Sequence, residues 1–295
     1  MFHIVYNPTA GQKKTLKTAA YVKSELEKNG IDFEEHPTQS QGHCTDILRE
    51  ITSSGEEQNV IVIGGDGTFS EAINGVADFD KVTFGLIPCG TGNDFARKLG
   101  VPKKAKDALE IILAGAVQNL DYIQLADRRC LNVCGLGMDV DVLVKYASMK
   151  HFKGKIKYYL SLFYVLSHFK PHHVRFKIGD VEAEQDVFMV AVANGSFIGG
   201  GMPISPASDV RDGKLDLVVI DNLKKGKILP ALLKFLGGKI HLQPYTKVYR
   251  STEAEVEILD EGKGKLQIDG EVRSESKISA EIVKGKLRMY LSDRV

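Results

Sequence analysis

Cysteine is scarce in this sequence: Cys44, Cys89, Cys130 and Cys134 stand at irregular spacing in 295 residues. Neither a disulfide framework nor a CxxC pair can be drawn from them, so free thiols in a reducing cytoplasm are expected. No run of about 18 to 20 apolar residues occurs, which excludes a membrane-spanning helix. The start, MFHIVYNPTAG, lacks a basic segment followed by a long apolar one, so no secretory signal is expected. An excess of one charge is missing too. The net charge is +1 with lysines and glutamates interspersed, which argues against nucleic acid as a partner. What is present, 43% hydrophobic and 26% charged residues, is enough to bury a large core in one long or two ordinary domains.

The first 120 or so residues alternate short apolar runs with longer amphipathic segments. FHIVYN (2–7), IDFEEHPT (31–38), VIVIG (60–64) and VTFGLIP (82–88) predict strands. Segments 15–30, 44–55, the stretch after Thr68, 93–100 and 107–115 predict helices. Alternation of this kind implies a mostly parallel sheet with helices on both faces, and ligands in such sheets lie at the carboxyl ends of the strands. After residue 121 the period changes to polar and apolar alternation with Gly, Asp and Asn between the runs, the pattern of an antiparallel β-sandwich or open barrel. Helical interruptions are expected at 141–169 and 224–238. The expected organisation is an α/β domain of residues 1–121, rejoined by a last strand near 286–295, and a β-rich domain of residues 122–285.

Three of the early strands end in turn-forming loops, NPTAGQKK (7–14), GGDGT (64–68) and PCGTGND (88–94). Glycine lets the backbone approach a ligand closely, and a following helix N-terminus offers free N–H groups to an anion. Thr9, Thr68 and Thr91 add hydroxyl donors, and Lys13 or Lys14 a point charge. One such loop is as well explained by a tight turn; their repetition in consecutive units points to a phosphate cradle. Yet neither GxxxxGKS/T nor GxGxxG is present, and the loops carry carboxylates, Asp66 and Asp94. A bare carboxylate about 4 Å from a phosphate oxygen costs about 4 kcal/mol at an effective dielectric near 20. Both aspartates therefore require Mg²⁺, bound water or an acceptor hydroxyl between them and the phosphate, which points to phosphoryl transfer.

Two later segments extend the pattern. In FIGGGMPISPASDVRDGKLDL (197–217) the aspartates around Gly213 suit a hard cation or simply a solvated turn. In LQIDGEVR (266–273) the DG pair reads as a hairpin turn, with Glu271 placed just past it to accept a hydroxyl proton. His172 and His173, beside Pro171, read as loop residues, and His43 as orienting the second helix.

NPTAG, GGDGTFSEAING, PCGTGNDFAR, GGGMPISPASDVRDG and IDGE, in this order, resemble the diacylglycerol kinase catalytic-domain family, and in particular the bacterial lipid kinases related to sphingosine and ceramide kinases. GGDGT alone is shared with NAD kinases and phosphofructokinases. The resemblance implies an N-terminal three-layer α/β domain of that type and a C-terminal antiparallel β-sandwich. It implies ATP contacts at Asn7, Pro8, Thr9, Ala10, Gly11, Gln12 and Lys13, with Ala10 where the family has serine, and at Thr38. Further contacts fall on Gly64, Gly65, Asp66, Gly67, Thr68, Phe69, Ser70 and Glu71, and on Gly90, Thr91 and Asn93. Asp66 and Asp94 match the aspartates of a Mg²⁺ and water network, and Glu271 the general base. A structural Mg²⁺ is implied at Asp209, Asp212 and Lys214, although Arg211 stands where the family has an acid.

The implied reaction is γ-phosphoryl transfer from ATP to a lipid hydroxyl, diacylglycerol first, with phosphatidylglycerol or a sphingoid base as alternative acceptors. An NAD-kinase-like enzyme and a non-catalytic nucleotide- or lipid-binding regulator are the other readings. KGKIKYYLSLFYVLSHFK (153–170) and LKKGKILPALLKFLGGK (223–239), apolar with basic ends, suit an interfacial helix or a wall of an acyl pocket, or else burial against the β-domain. Peripheral contact with a membrane surface is thus expected of a cytoplasmic protein, and a homodimer is compatible with the sequence.

Overall fold

The computed structural model describes residues 1–9, 14–149, 154–260 and 264–292. At its N-terminal end the strands Phe33–Pro37, Phe2–Tyr6, Gln58–Gly64 and Val82–Pro88 lie side by side in parallel. Alternate side chains of a strand face opposite ways, so each face of this sheet needs its own helical layer. Val60, Val62 and Phe84 pack with Leu48, Ile73 and Phe95 from the helices His43–Thr52, Asp66–Gly75 and Asp94–Lys98. Ile61 and Ile63 pack on the other face with Val22, Leu26, Leu109 and Ile112 from Lys14–Lys28 and Ala105–Ala114. Each fully buried aliphatic side chain contributes about 1.5–3 kcal/mol, which is why this β-branched stretch forms the centre of a three-layer unit.

The remaining strands pair antiparallel with one another. Val181–Ala193 is the hub, pairing with His172–Ile178, Val133–Gly137 and Leu215–Asp221. Glu253–Ile258 extends the sheet from His172–Ile178, and Leu266–Ile268 extends it from Val133–Gly137. One apolar layer, including Leu136, Phe176, Val190, Leu217 and Val256, fills the interior between these strands. The opposite side of this sheet carries Phe188 and Met189 of the hub and Val218 and Ile220 of Leu215–Asp221, covered by Leu162 and Val165 of the helix Gly154–His168 and by Leu232 and Phe235 of the helix Lys225–Leu236. The helical interruption expected at 141–169 is two helices, Met138–Ser148 and Gly154–His168.

His172 and His173, expected in a loop, open a strand instead. HHVRFKI alternates across the sheet with Val174, Phe176 and Ile178 buried, and pairing places His173 beside Asp186 and Glu184 at 2.9 and 3.2 Å. The last strand, Lys277–Tyr290, ties the molecule together. Its first part pairs antiparallel with Glu253–Ile258, its end pairs parallel with Val82–Pro88 through Arg288 and Met289, and Val117–Gln124 runs along its other edge.

Candidate active site

Two glycine loops meet at the carboxyl ends of Gln58–Gly64 and Val82–Pro88. A side chain on Gly90 would place its Cβ 2.5 Å from the Cα of Gly65, so only backbone fits where the loops touch. Asn93 fixes the second loop from within: its Oδ1 accepts from Gly90 N at 2.9 Å and its Nδ2 donates to Gly90 O at 2.8 Å. Asp66 and Asp94 then open their helices facing one another across Gly92. A Cβ on Gly92 would lie 3.0 Å from Asp66 Oδ2 and 3.6 Å from Asp94 Oδ2.

The two carboxylates are held differently. Asp66 Oδ1 accepts from Phe95 N at 3.2 Å. Asp94 Oδ2 accepts from Gly200 N at 2.8 Å, while its Oδ1 is buried with no hydrogen-bond partner among the described residues. Burial raises the Asp94 carboxyl above its ordinary range against the opposing Gly200 hydrogen bond, and the charge of Asp66 adds to the rise. A buried, unpartnered oxygen beside a second carboxylate is a donor set that fits Mg²⁺, which takes oxygen ligands and keeps part of its water. Asp66 and Asp94 are the residues that would hold it, directly or through water.

Both aspartates line a cavity of about 240 Å³. Gly92 and Gly200 accompany them, and Met138, Val142, Leu162, Leu232 and Phe235 provide an apolar wall. Four further polar residues line it that were not expected as site residues: Asn132 and Asp139, outside the motifs, and Gln267 and Asp269, read only as part of the hairpin. Asp269 is saturated, accepting from Leu131 N and Asn132 N at 2.9 Å each and from Ser70 Oγ at 3.3 Å. It therefore works as a clamp between the two halves. Asp139 is not saturated: Oδ1 is buried without a partner among the described residues, and burial pushes its carboxyl up to about 6. A signal for it was present, since GLGMD repeats the glycine turn between a strand and a helix seen in the early loops.

The other expected nucleotide positions are arranged as follows. Asn7 Oδ1 accepts from Thr9 N and Thr9 Oγ1 at 2.9 and 2.8 Å, which fixes the turn through Pro8 after the first strand. Ala10, Gly11, Gln12 and Lys13 lie outside the described residues. Thr38 is buried beside that turn, its N–H donating to Tyr6 O at 2.8 Å. Gly64 and Thr68 are in contact, since a Cβ on Gly64 would be 2.6 Å from Thr68 Cβ. Gly67 and Thr91 are exposed and Glu71 is half-buried. Phe69 requires correction as a ligand contact: its ring is 1% exposed, packed with Phe84 and Phe95 in the core, so its side chain is unavailable to a nucleotide. His43 Nδ1 accepts from Gln39 N at 3.0 Å, holding the entry to the second helix.

Glu271 lies one residue beyond the cavity lining. Asp269 and Gly270 both have positive φ, 49° and 85°, as a two-residue hairpin turn requires, and Ile268 pairs with Glu271 across it. The Glu271 carboxylate is half-exposed, accepting from Gln41 Nε2 at 3.1 Å and from Arg128 Nη1 at 2.9 Å.

The acidic turn expected to hold a structural metal is already compensated by side-chain cations. Asp212 Oδ1 accepts from Lys214 N at 2.9 Å and its Oδ2 lies 3.4 Å from Arg250 Nη1. Asp209 Oδ1 accepts from Arg211 N at 3.2 Å, and the Lys98 ammonium donates to Ser208 O. Asp121 fastens the turn to the last strand, accepting from Gly213 N and Gly285 N at 2.7 Å each. The side chains of Asp209 and Asp212 are thus ion-paired within this turn, to Arg211 and Arg250.

Comparison with known proteins agrees with this architecture. The model of the diacylglycerol kinase catalytic domain matches residues 1–125, and that of the YegS C-terminal NAD kinase beta sandwich-like domain matches residues 132–291. The diacylglycerol kinase of Bacillus subtilis (strain 168) is 28% identical over 272 residues, 91% of this chain and 88% of that protein. The diacylglycerol kinase of Mycobacterium tuberculosis (strain ATCC 25618 / H37Rv) is 30% identical over 246 residues, 80% of this chain and 78% of that protein. The crystal structure of a Bacillus anthracis str. Sterne protein assigned as a diacylglycerol kinase matches with a TM-score of 0.80 at 27% identity, covering 100% of this chain and 98% of that one.

Proposed function

The chain belongs to the diacylglycerol kinase and YegS-like lipid kinase family, and on that premise we propose that it transfers the γ-phosphoryl group of ATP to the free hydroxyl of diacylglycerol, giving phosphatidic acid and ADP. The observation that carries the choice of acceptor is the cavity. Its polar end holds Asp66 and Asp94 and the rest is walled by Met138, Val142, Leu162, Leu232 and Phe235, a lining for acyl chain rather than for a soluble nucleotide.

The glycine loops receive the phosphates on backbone N–H groups, with the N-terminus of Asp66–Gly75 contributing its positive end. Mg²⁺, when bound, neutralises charge on the transferring phosphoryl group. Asp139 accepts a hydrogen bond from the polar head of the lipid, its one open oxygen being the buried acceptor in the apolar wall. The lipid oxygen forms a bond to the γ-phosphorus as the bond to the bridging oxygen of ADP breaks, and the hydroxyl proton passes to Glu271. For that step Glu271 leaves Arg128.

Among the described residues no helix is long and apolar enough to cross a membrane. Two of the helices that wall the cavity, Gly154–His168 and Lys225–Leu236, nevertheless present apolar side chains outward: Ile156 and Phe163 are 66% and 73% exposed on the first, Leu229 and Leu233 61% and 62% on the second. Leu229, Leu233 and Leu236 recur at the spacing of one helix face, with Lys224, Lys225 and Lys234 around them. We assign this surface to docking on an anionic lipid bilayer, which brings the substrate to the cavity mouth. The test of the cavity assignment is Leu232→Trp. It is expected to abolish phosphorylation of diacylglycerol in vesicles while ATP affinity stays within about twofold; undiminished lipid turnover would remove the cavity from the mechanism.

A further inference from the structure

A second cluster of chemically competent side chains lies outside the cleft, on the edge of the parallel sheet. His3 in the strand Phe2–Tyr6 pairs with Glu34 of Phe33–Pro37, and His36 follows Glu34 by two residues, so all three share one face. His3 Nδ1 is 3.0 Å from His36 Nε2 and 3.6 Å from Glu34 Oε2, and His36 Nε2 is 3.8 Å from the same oxygen. A tetrahedral ion with ligand bonds of about 2.0–2.1 Å separates its ligand atoms by about 3.3–3.4 Å. The three edges of this triangle bracket that value.

The surroundings orient the cluster as a metal site is usually oriented. Gln58 Nε2 donates to Ser54 Oγ at 2.9 Å, which turns Gln58 Oε1 toward His3 Nε2 at 3.0 Å. His3 Nε2 therefore carries the proton, and the Nδ1 lone pair points into the triangle, the arrangement in which an outer partner fixes the tautomer of a ligating imidazole. His3 is 7% exposed, whereas Glu34 is exposed, so the site is rooted in the sheet and open on one side. That side gives onto a surface cavity of about 560 Å³ also lined by Glu50, Glu56 and Glu57, a field that attracts cations and leaves room for water as fourth ligand.

We propose that His3, Glu34 and His36 bind a zinc ion that pins the edge strand Phe33–Pro37 to its neighbour. Two imidazoles and one carboxylate select a late first-row divalent metal over Mg²⁺. The site is independent of the phosphoryl-transfer chemistry: it clamps the strand that leads to Thr38 and adds stability when loaded.

The test uses untagged full-length protein, freed of metal with a chelator and dialysed, then titrated with ZnCl₂ by calorimetry and by thermal melting. One zinc per chain is expected, with a saturable rise in Tm that MgCl₂ does not reproduce. His36→Gln is expected to abolish this binding, Gln58→Leu to weaken it by roughly 10- to 100-fold, and His173→Gln, at an exposed histidine flanked by Asp186 and Glu184, to leave it unchanged. Co²⁺ added to the wild-type protein is expected to give the visible absorption of a tetrahedral site, bleached by Zn²⁺, which keeps the test decisive if a variant fails to fold. Zinc binding equal in wild type and His36→Gln, or no Co²⁺ spectrum in the wild type, would show a plain hydrogen-bonded histidine pair and overturn the proposal.

Discussion

Glu271 Oε2 accepts a hydrogen bond from Arg128 Nη1 at 2.9 Å, so the carboxylate proposed as base is parked in an ion pair just outside the cavity. Gln41 holds its other oxygen at 3.1 Å. Its partners thus come from two segments far apart in the chain, Gln41 near the second strand and Arg128 after Val117–Gln124.

Glu271→Gln keeps the shape and removes the proton acceptor. Turnover is expected to fall by a factor on the order of 10² to 10⁴ with ATP binding retained, as measured by steady-state kinetics and nucleotide titration. An unchanged kcat would dismiss Glu271 and pass the base role to one of the carboxylates that line the cavity, Asp66 first.

Charges placed on the outward apolar face should uncouple the enzyme from membranes. Burying a Phe or Leu contributes about 1.5–3 kcal/mol, so Phe163→Asp with Leu233→Asp is expected to weaken vesicle sedimentation by roughly tenfold or more. Turnover of a water-soluble short-chain diacylglycerol should stay within about twofold. Equal loss on vesicles and on the soluble substrate would mean that the face serves folding rather than docking.

Asp139 makes stability depend on pH. Its folded carboxyl stands at about 6 against an ordinary 3.8, because burial favours the neutral form, with Asp141 adding to the rise and His172 opposing it. Between those values the folded state holds the proton that the unfolded chain has released, so stability falls as pH rises through that window. Asp139→Asn is expected to remove a penalty on the order of 2 kcal/mol at pH 7 and leave stability at pH 4 nearly unchanged, read from denaturant melts at the two values. A variant less stable at pH 7 than wild type would show that the ionised form is held by contacts in the fold.

Much of this was legible in the sequence, for identifiable reasons. The parallel sheet followed from short apolar runs alternating with amphipathic helical segments, and the hairpin at Asp269 and Gly270 from a dipeptide that tolerates positive φ. Asp66 and Asp94 were marked by the glycines around them. What escaped depends on contacts far apart in the chain. Phe69 sits inside a ligand motif, yet its ring turns into the core, and no local pattern tells the two faces of that helix turn apart. Asp209, Asp212 and Lys214 have the composition of a cation site, while Arg250, paired with Asp212, and Lys98, bonded to the Ser208 carbonyl, enter from other elements.

That neutralisation is itself testable. Lys98→Met leaves the Ser208 carbonyl without its donor and removes one of the cations around the acidic turn, at an expected cost of about 1–3 kcal/mol, visible as a Tm lower by several degrees. Millimolar Mg²⁺ is expected to leave the wild-type Tm unchanged. A Mg²⁺-dependent rise in Tm that Asp212→Asn abolishes would restore the turn as a metal site.

The most direct measurement is incubation of the protein with ATP radiolabelled at its γ-phosphate and mixed vesicles of diacylglycerol, phosphatidylglycerol and sphingosine, with NAD in the same reaction. Label is expected in phosphatidic acid, in an amount that Leu232→Trp and Asp66→Asn each abolish. Label in NAD alone, or in no acceptor at high protein concentration, would contradict the assignment of a lipid kinase.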